Sequence, residues 1–156
     1  GYAALLLGET VGHMGQSALL AEAYGRNDGE APPVDLQQEA DHGQFIRDNH
    51  ALISACTDLS DGGLALAAFE MADTAGIGVV LSDGDTPTLF GEDQARYLIA
   101  CTSEQSDALQ EAAKAAGLTI TEVGQFGGDT VQLGSADAPL AFLSDIHRNS
   151  FADAVA

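Results

Sequence analysis

Residues 56–65 read CTDLSDGGLA, and the fold turns on how that stretch is parsed. Before it, Leu52 to Thr57 is a short, bounded apolar run, the pattern of a buried strand. After it, Leu64, Ala67, Ala68, Met71, Ala72 and Ala75 recur at helical spacing from Gly63, and Gly76 stands where such a helix would stop. A strand, a tight turn and a helix therefore follow one another. The turn brings side-chain carboxylates and free helix N–H groups to one place. Helix N-termini attract anions, and glycine lets a phosphate approach the backbone. In one reading Asp58 is a metal ligand, Ser60 contacts a phosphate, Asp61 caps the helix, and Mg²⁺ bridges carboxylate and phosphate. In the other, Ser60 or Asp61 merely caps the helix. The spacing permits both.

Working outward, Tyr2 to Gly8 reads as a buried strand and the Gly-rich stretch 8–17 as a loop. A short helix follows from Ser17 and ends at Gly25. Asp35 can cap a longer helix through about His50, with Phe45 and Ile46 on one face. Ile77 to Leu81 is β-branched and short, a strand. Residues 82–95 read as an acidic loop, Arg96 to Thr102 as a strand and 103–116 as a helix with Ala108, Leu109, Ala112, Ala113 and Ala116 on one side. Thr119 to Gln125 and Thr130 to Leu133 flank FGGD like the arms of a hairpin, and 139–151 reads as a closing helix. Four or more strands interleaved with about five helices predict one α+β domain, a mixed β-sheet covered by helices.

The chain has 156 residues, enough for one domain with a real core. It carries 24 acidic against 5 basic residues, a formal net charge of −19, and Lys114 is the single lysine. Such a surface repels polyanions, so nucleic acid is not an expected partner. No apolar run reaches the roughly 18 residues of a membrane span. The start has neither a basic n-region nor an initiator Met, and the expectation is a fragment of a longer multidomain polypeptide. Cys56 and Cys101 lie in apolar runs and read as buried, reduced thiols of a cytoplasmic protein. The four histidines are scattered without metal-ligand spacing, and no nucleophile elbow is present.

A second polar cluster is TLFGEDQARY, residues 88–97. Glu92, Asp93 and Gln94 precede a strand and could line a cleft, or form an ordinary acidic loop. Leu89 and Phe90 beside them, with Met14, are expected near a domain interface; the alternative is that Leu89 and Phe90 fold back as core anchors. The glycines at 8, 12 and 15 fit neither a dinucleotide fingerprint nor a Walker loop.

LGET at 7–10, G-x-x-G-x-S at 12–17, DLSDGGLA at 58–65 and LFGEDQARY at 89–97 occur here in an order that resembles one family, the C-terminal domain shared by aminoimidazole ribonucleotide synthetase and its relatives. The likeness runs from Tyr2 to Phe151. Within the family it is most similar to the second such domain of the ATP-dependent, amidine-forming ligase of purine biosynthesis. That resemblance implies conversion of formylglycinamide ribonucleotide to formylglycinamidine ribonucleotide, with ATP and Mg²⁺ as cofactors. It implies Asp58 as metal ligand, Ser60, Gly62 and Gly63 at the nucleotide, and Glu92, Asp93 and Gln94 at the substrate. In the other C-terminal domain of such enzymes the triplet is Glu-Ser-Gln; here Asp93 replaces Ser. The implied partners are N-terminal barrel domains of the same polypeptide, a glutaminase subunit and a small accessory subunit. The family's catalytic histidines belong to the N-terminal domain, so no catalytic residue is expected here. Rival readings are another ATP-using member of the family, or a non-catalytic domain that buttresses the barrel.

Overall fold

A computed structural model describes residues 1–155. The elements are β1 (Tyr2–Leu7), α1 (Ala18–Tyr24), α2 (Leu36–Asp48), β2 (Ala55–Asp58), α3 (Gly63–Ala75), β3 (Val79–Leu81), α4 (Thr86–Phe90), β4 (Tyr97–Cys101), α5 (Ser103–Ala116), β5 (Ile120–Phe126), β6 (Thr130–Leu133), β7 (Ala136–Pro139) and α6 (Leu140–Val155). The strands form one sheet in the order β2-β4-β1-β5-β3-β6-β7. The β3–β6 pair is parallel and the others are antiparallel, so the mixed sheet expected from the sequence is present.

β1 organises the core because it is hydrogen-bonded on both sides, to β4 and β5. Side chains alternate across a strand, so Ala4 and Leu6 enter one cluster and Ala3, Leu5 and Leu7 the other. The first cluster holds Leu64, Ala65, Ala67, Ala68 and Ala72 of α3, with Leu140 opening α6. The second holds Phe45 of α2 with Leu109 and Ala113 of α5. Alanine on α3 lets the helix axis lie close to the sheet. Local chemistry sets the helix limits as the sequence predicts. Ser17, Asp35 and the Thr102–Gln105 capping box start α1, α2 and α5, and left-handed Gly25, Gly76 and Gly117 stop α1, α3 and α5.

Four expectations change. The run at 52–57 splits into a 3₁₀ turn, His50–Leu52, and the short edge strand β2. The loop 82–95 contains α4, which Asp85 caps through the Thr88 amide at 2.9 Å, with a Pro in its first turn. β5 and β6 are not a hairpin, because β3 lies between them. Gly78 enters that gap and exchanges backbone hydrogen bonds with Gly127 and Gly128 at 2.8 Å. A Cβ at Gly78 would sit 2.2 Å from the Thr130 carbonyl, so only glycine lets β3 insert there. The hairpin is instead β6–β7, whose edge strand ends in Pro139, where no ladder N–H is needed. Finally, Cys101 is buried but Cys56 is exposed, since nothing covers the outer edge of β2. Partial desolvation and then the Asp58 carboxylate push the Cys56 thiol up, away from thiolate chemistry at neutral pH.

The entry to α3 is one of the tight points of the chain. Gly63 has φ +62°, and a Cβ there would lie 2.4 Å from the Gly91 carbonyl oxygen. Gly76, at the other end of α3, is also left-handed but has open space around it. Gly76→Ala should therefore cost only the conformational term, about 1–2 kcal/mol. Gly63→Ala adds a backbone clash and should cost roughly 3 kcal/mol or more. Urea unfolding of the two variants checks this, and equal midpoints would show that α3 is not clamped against residues 89–91.

Candidate nucleotide site at the start of helix α3

The sheet register brings the motifs together. Tyr97, the first residue of β4, pairs with Leu7 of β1 on one side and Asp58 of β2 on the other. Because β1 and β2 both run antiparallel to β4, they end at the same edge, where LGET and DLSDGG leave the sheet and EDQAR enters it. α3 starts there as well.

At the turn, Leu59 is buried and its amide donates to the Arg96 carbonyl at 2.9 Å. That anchor turns Asp58, Ser60 and Asp61 outward, and all three are exposed. Gly62, at φ +79°, is the N-cap of α3, and among the described residues neither Ser60 nor Asp61 caps the helix with its side chain. The pure capping role for Ser60 or Asp61 is thus not what the structure shows. The turn presents an exposed carboxylate and an exposed hydroxyl beside a helix N-terminus that its own side chains do not cap, a combination suited to an anion and its counter-cation. A cavity of about 380 Å³ opens beside it, lined among others by Glu9, Thr10, Leu64, Thr88 and Thr121. A larger concavity, about 560 Å³, lies away from these motifs on the β3–β5 surface around Val80 and Gly124.

The triplet at 92–94 behaves differently from the expectation that it faces a cleft. Glu92 and Asp93 are 8% and 9% exposed and point inward. Glu92 Oε1 accepts from the amides of Ala18 and Gly62, both at 2.8 Å, so one carboxylate ties the start of α1 to the start of α3. Asp93 Oδ2 accepts from the Val11 and Gly12 amides at 2.9 Å, and Oδ1 from His13 at 3.1 Å. The Glu92 amide in turn donates to the His13 carbonyl at 2.8 Å. Burial is affordable because every contact meets a backbone donor. Gln94 alone is half-buried, and its Nε2 donates to the Glu92 carbonyl at 3.2 Å.

Two further residues complete this frame without having been singled out in the sequence. Arg96 is 1% exposed; its guanidinium donates to the carbonyls of Asp93 and Gly91 and to Thr10 Oγ1, and lies 3.9 Å from Asp93 Oδ2. Burial lowers its pKa and the Asp93 charge raises it, in that order of size. Ala95 is held in the left-handed region at φ +57°, and buried His42 donates from Nδ1 to its carbonyl at 2.6 Å. A hint was available for Arg96: a basic residue opening an apolar strand in so acidic a chain has an uncommon reason to be there.

The expected interface trio separates. Leu89 is buried in the α3 core cluster, the core-anchor alternative. Phe90 and Met14 stay half-buried, and Val11 is 83% exposed at the loop tip.

Residues 1–134 match the family described as AIR synthase related protein, C-terminal domain. Two curated relatives are both named phosphoribosylformylglycinamidine synthase subunit PurL. The protein from Roseobacter denitrificans is 64% identical over 156 residues, all of this chain and 22% of its own length. That from a Cereibacter sphaeroides strain is 60% identical over 152 residues, 97% of this chain and 21% of its own. The chain thus spans about a fifth of the length of these relatives. The fold is shared with Thermotoga maritima PurL solved with FGAR, at TM-score 0.74, 16% identity and coverage of 92% of this chain and 28% of that one. It is shared likewise with the same protein solved with ATP, at 0.67, 15%, 92% and 26%, and with the PurLQS structure at 0.73, 14%, 92% and 26%. A match over most of its residues, together with relatives of this identity, places the chain: it belongs to the family of AIR synthase related protein C-terminal domains.

Proposed function

We propose that this chain is the C-terminal domain of a phosphoribosylformylglycinamidine synthase. The whole protein would be an ATP-dependent carbon–nitrogen ligase that converts formylglycinamide ribonucleotide to formylglycinamidine ribonucleotide in purine biosynthesis. The reading is supported by the relatives' shared name and, within the chain, by one observation: Asp58 and Ser60 are exposed in the turn before α3, and neither Ser60 nor Asp61 caps that helix with its side chain. Ser60 would receive nucleotide phosphate there; the Gly62 and Gly63 amides, expected from the sequence in the same role, already donate to Glu92 and to the Ser60 carbonyl, so these glycines shape the turn that carries it.

The residues present suit Mg²⁺ in one manner only. Among the described residues there is no group of three or more His, Cys, Asp or Glu side chains that could hold a metal. Mg²⁺ commonly keeps its waters and binds through one or two carboxylates plus substrate phosphates, so Asp58 would be the protein's ligand and the nucleotide would supply the rest. The ion's contribution is to offset the phosphate charge. Arg96 cannot do so, being buried and engaged. The remaining positive groups would come from the partners proposed here: barrel domains of the same polypeptide, in a cytoplasmic assembly with a glutaminase and a small accessory subunit. Of the substrate triplet, Gln94 keeps a surface toward solvent, while Glu92 and Asp93 act from behind, by holding the loops that shape the site. Their inward turn favours one narrower version, in which this domain's nucleotide is auxiliary to the reaction.

Two outcomes are expected. In the full-length protein, Asp58→Asn should raise the Kd for Mg²⁺–ATP by about tenfold to a hundredfold, as loss of a charge-assisted ligand does. The unliganded melting temperature should barely move, because Asp58 is exposed. Calorimetry with unchanged affinity would remove Asp58 from the site. A loss of affinity with turnover intact would identify the auxiliary version.

For this chain by itself, ATP affinity should be weaker than about 1 mM, corresponding to only about 4 kcal/mol, since a net charge of −19 opposes the ligand. Micromolar binding by the isolated chain would show that the partner domains are not needed to complete the site.

A further inference from the structure

We propose that Asp93 is a built-in anion: its carboxylate fills an anion site formed by the Val11, Gly12 and His13 amides and the buried Arg96 guanidinium, and so bars a ligand's phosphate from that loop. Three consecutive N–H groups converging within 2.9–3.1 Å on one carboxylate form a backbone nest, the kind of concavity that elsewhere holds phosphate. Gly12, at φ +82°, gives the loop the curvature such a nest needs.

The cation behind the nest strengthens the case. Arg96 is buried, and its hydrogen-bond acceptors are all neutral: two carbonyls and the Thr10 hydroxyl. Among the described residues, Asp93 is the acidic side chain that forms an ion pair with it. Removing the Asp93 carboxylate would therefore leave three amides and one buried positive charge facing an empty space, which strongly favours uptake of a small oxyanion. The space is close to solvent, since neighbouring Val11 is 83% exposed. Because the chain supplies this anion itself, the loop 10–18 is held in place with no ligand bound. A nucleotide phosphate is then left the exposed Ser60 side of the turn before α3. That last consequence rests on the nucleotide reading above; the anion site does not, and its test uses no nucleotide.

The test is hydrogen exchange of residues 10–18 in the full-length protein, with inorganic phosphate as the probe. In the wild type, exchange should be slow and indifferent to phosphate. In Asp93→Ala it should accelerate by about a hundredfold in the absence of phosphate, the effect of an uncompensated buried charge, and return toward the wild-type rate in millimolar phosphate. A variant loop that remains protected without phosphate, or that exchanges fast at every phosphate concentration, overturns the proposal. Should Asp93→Ala not fold, Asp93→Asn carries the test, because it keeps the acceptor oxygen and the shape but loses the charge. Its melting temperature should lie below that of the wild type and rise with phosphate while the wild type's does not. Equal responses of the two proteins would overturn the proposal.

Discussion

The candidate site depends on two buried carboxylates meeting backbone amides far away in sequence. Glu92 and Asp93 bond to residues 74 to 82 positions earlier in the chain, and Glu92 also to Gly62, 30 positions earlier. Charge-assisted bonds of this kind are stronger than neutral ones, and losing one partner strands the other in a poor solvent. The loop at 8–17, the DLSDGG turn and the start of β4 are therefore mechanically one unit. Arg96 supplies the compensating charge from beneath, and its carbonyl holds Leu59, so the frame reaches the turn that carries Asp58 and Ser60.

The sheet explains why such a frame is possible. Only where two strands end and a third begins can three loops share one corner, and the β2-β4-β1 order creates that corner at Tyr97. Glycine makes the approach close enough. A Cβ on Gly12 would lie 2.7 Å from the Pro87 side chain, and one on Gly91 would lie 2.4 Å from the Pro87 carbonyl and 2.9 Å from the Gly12 backbone. Even Ala95 accepts a left-handed backbone there, held by His42. Left-handed Gly62, Gly63 and Ala95 thus gather beside the turn, as backbone strain does where a site is pre-organised.

Much of this was legible in the sequence, and the illegible part has a physical reason. Helical periodicity located α3 and α5, a bounded apolar run located β1, and Gly25, Gly76 and Asp35 marked helix ends, because these signals depend on close neighbours in the chain. The outward placement of Asp58 and Ser60 followed from the strand before them and the helix after them. The β5–β6 hairpin did not survive, since FGGD is equally a turn and an opening, and what fills the opening is Gly78-Val79, about fifty residues upstream by the element order. Cys56 was misplaced because an apolar strand at a sheet edge has the same composition as one in the middle. Glu92 and Asp93 announced their chemistry but not their direction: acids before a strand usually meet water, and nothing local says that the amides of Val11, Gly12, His13, Ala18 and Gly62 are waiting behind them.

Charge supplies the last constraint. A chain with 24 acidic and 5 basic residues has no general attraction for phosphate. Two of its basic side chains, Arg26 and Arg148, are paired with Asp28 and Asp73, and Arg96 is sealed beneath Asp93. Local geometry at α3 can select an anion, but it cannot overcome the field of the whole surface by itself. A nucleotide at this turn therefore requires positive charge from outside the chain, as metal, as partner domain or as both. The exposed Asp58 is consistent with that division: it would repel a bare phosphate and favour one that arrives with a cation. Selectivity for the metal-bound nucleotide would then be a property of the turn, while affinity would belong to the assembly.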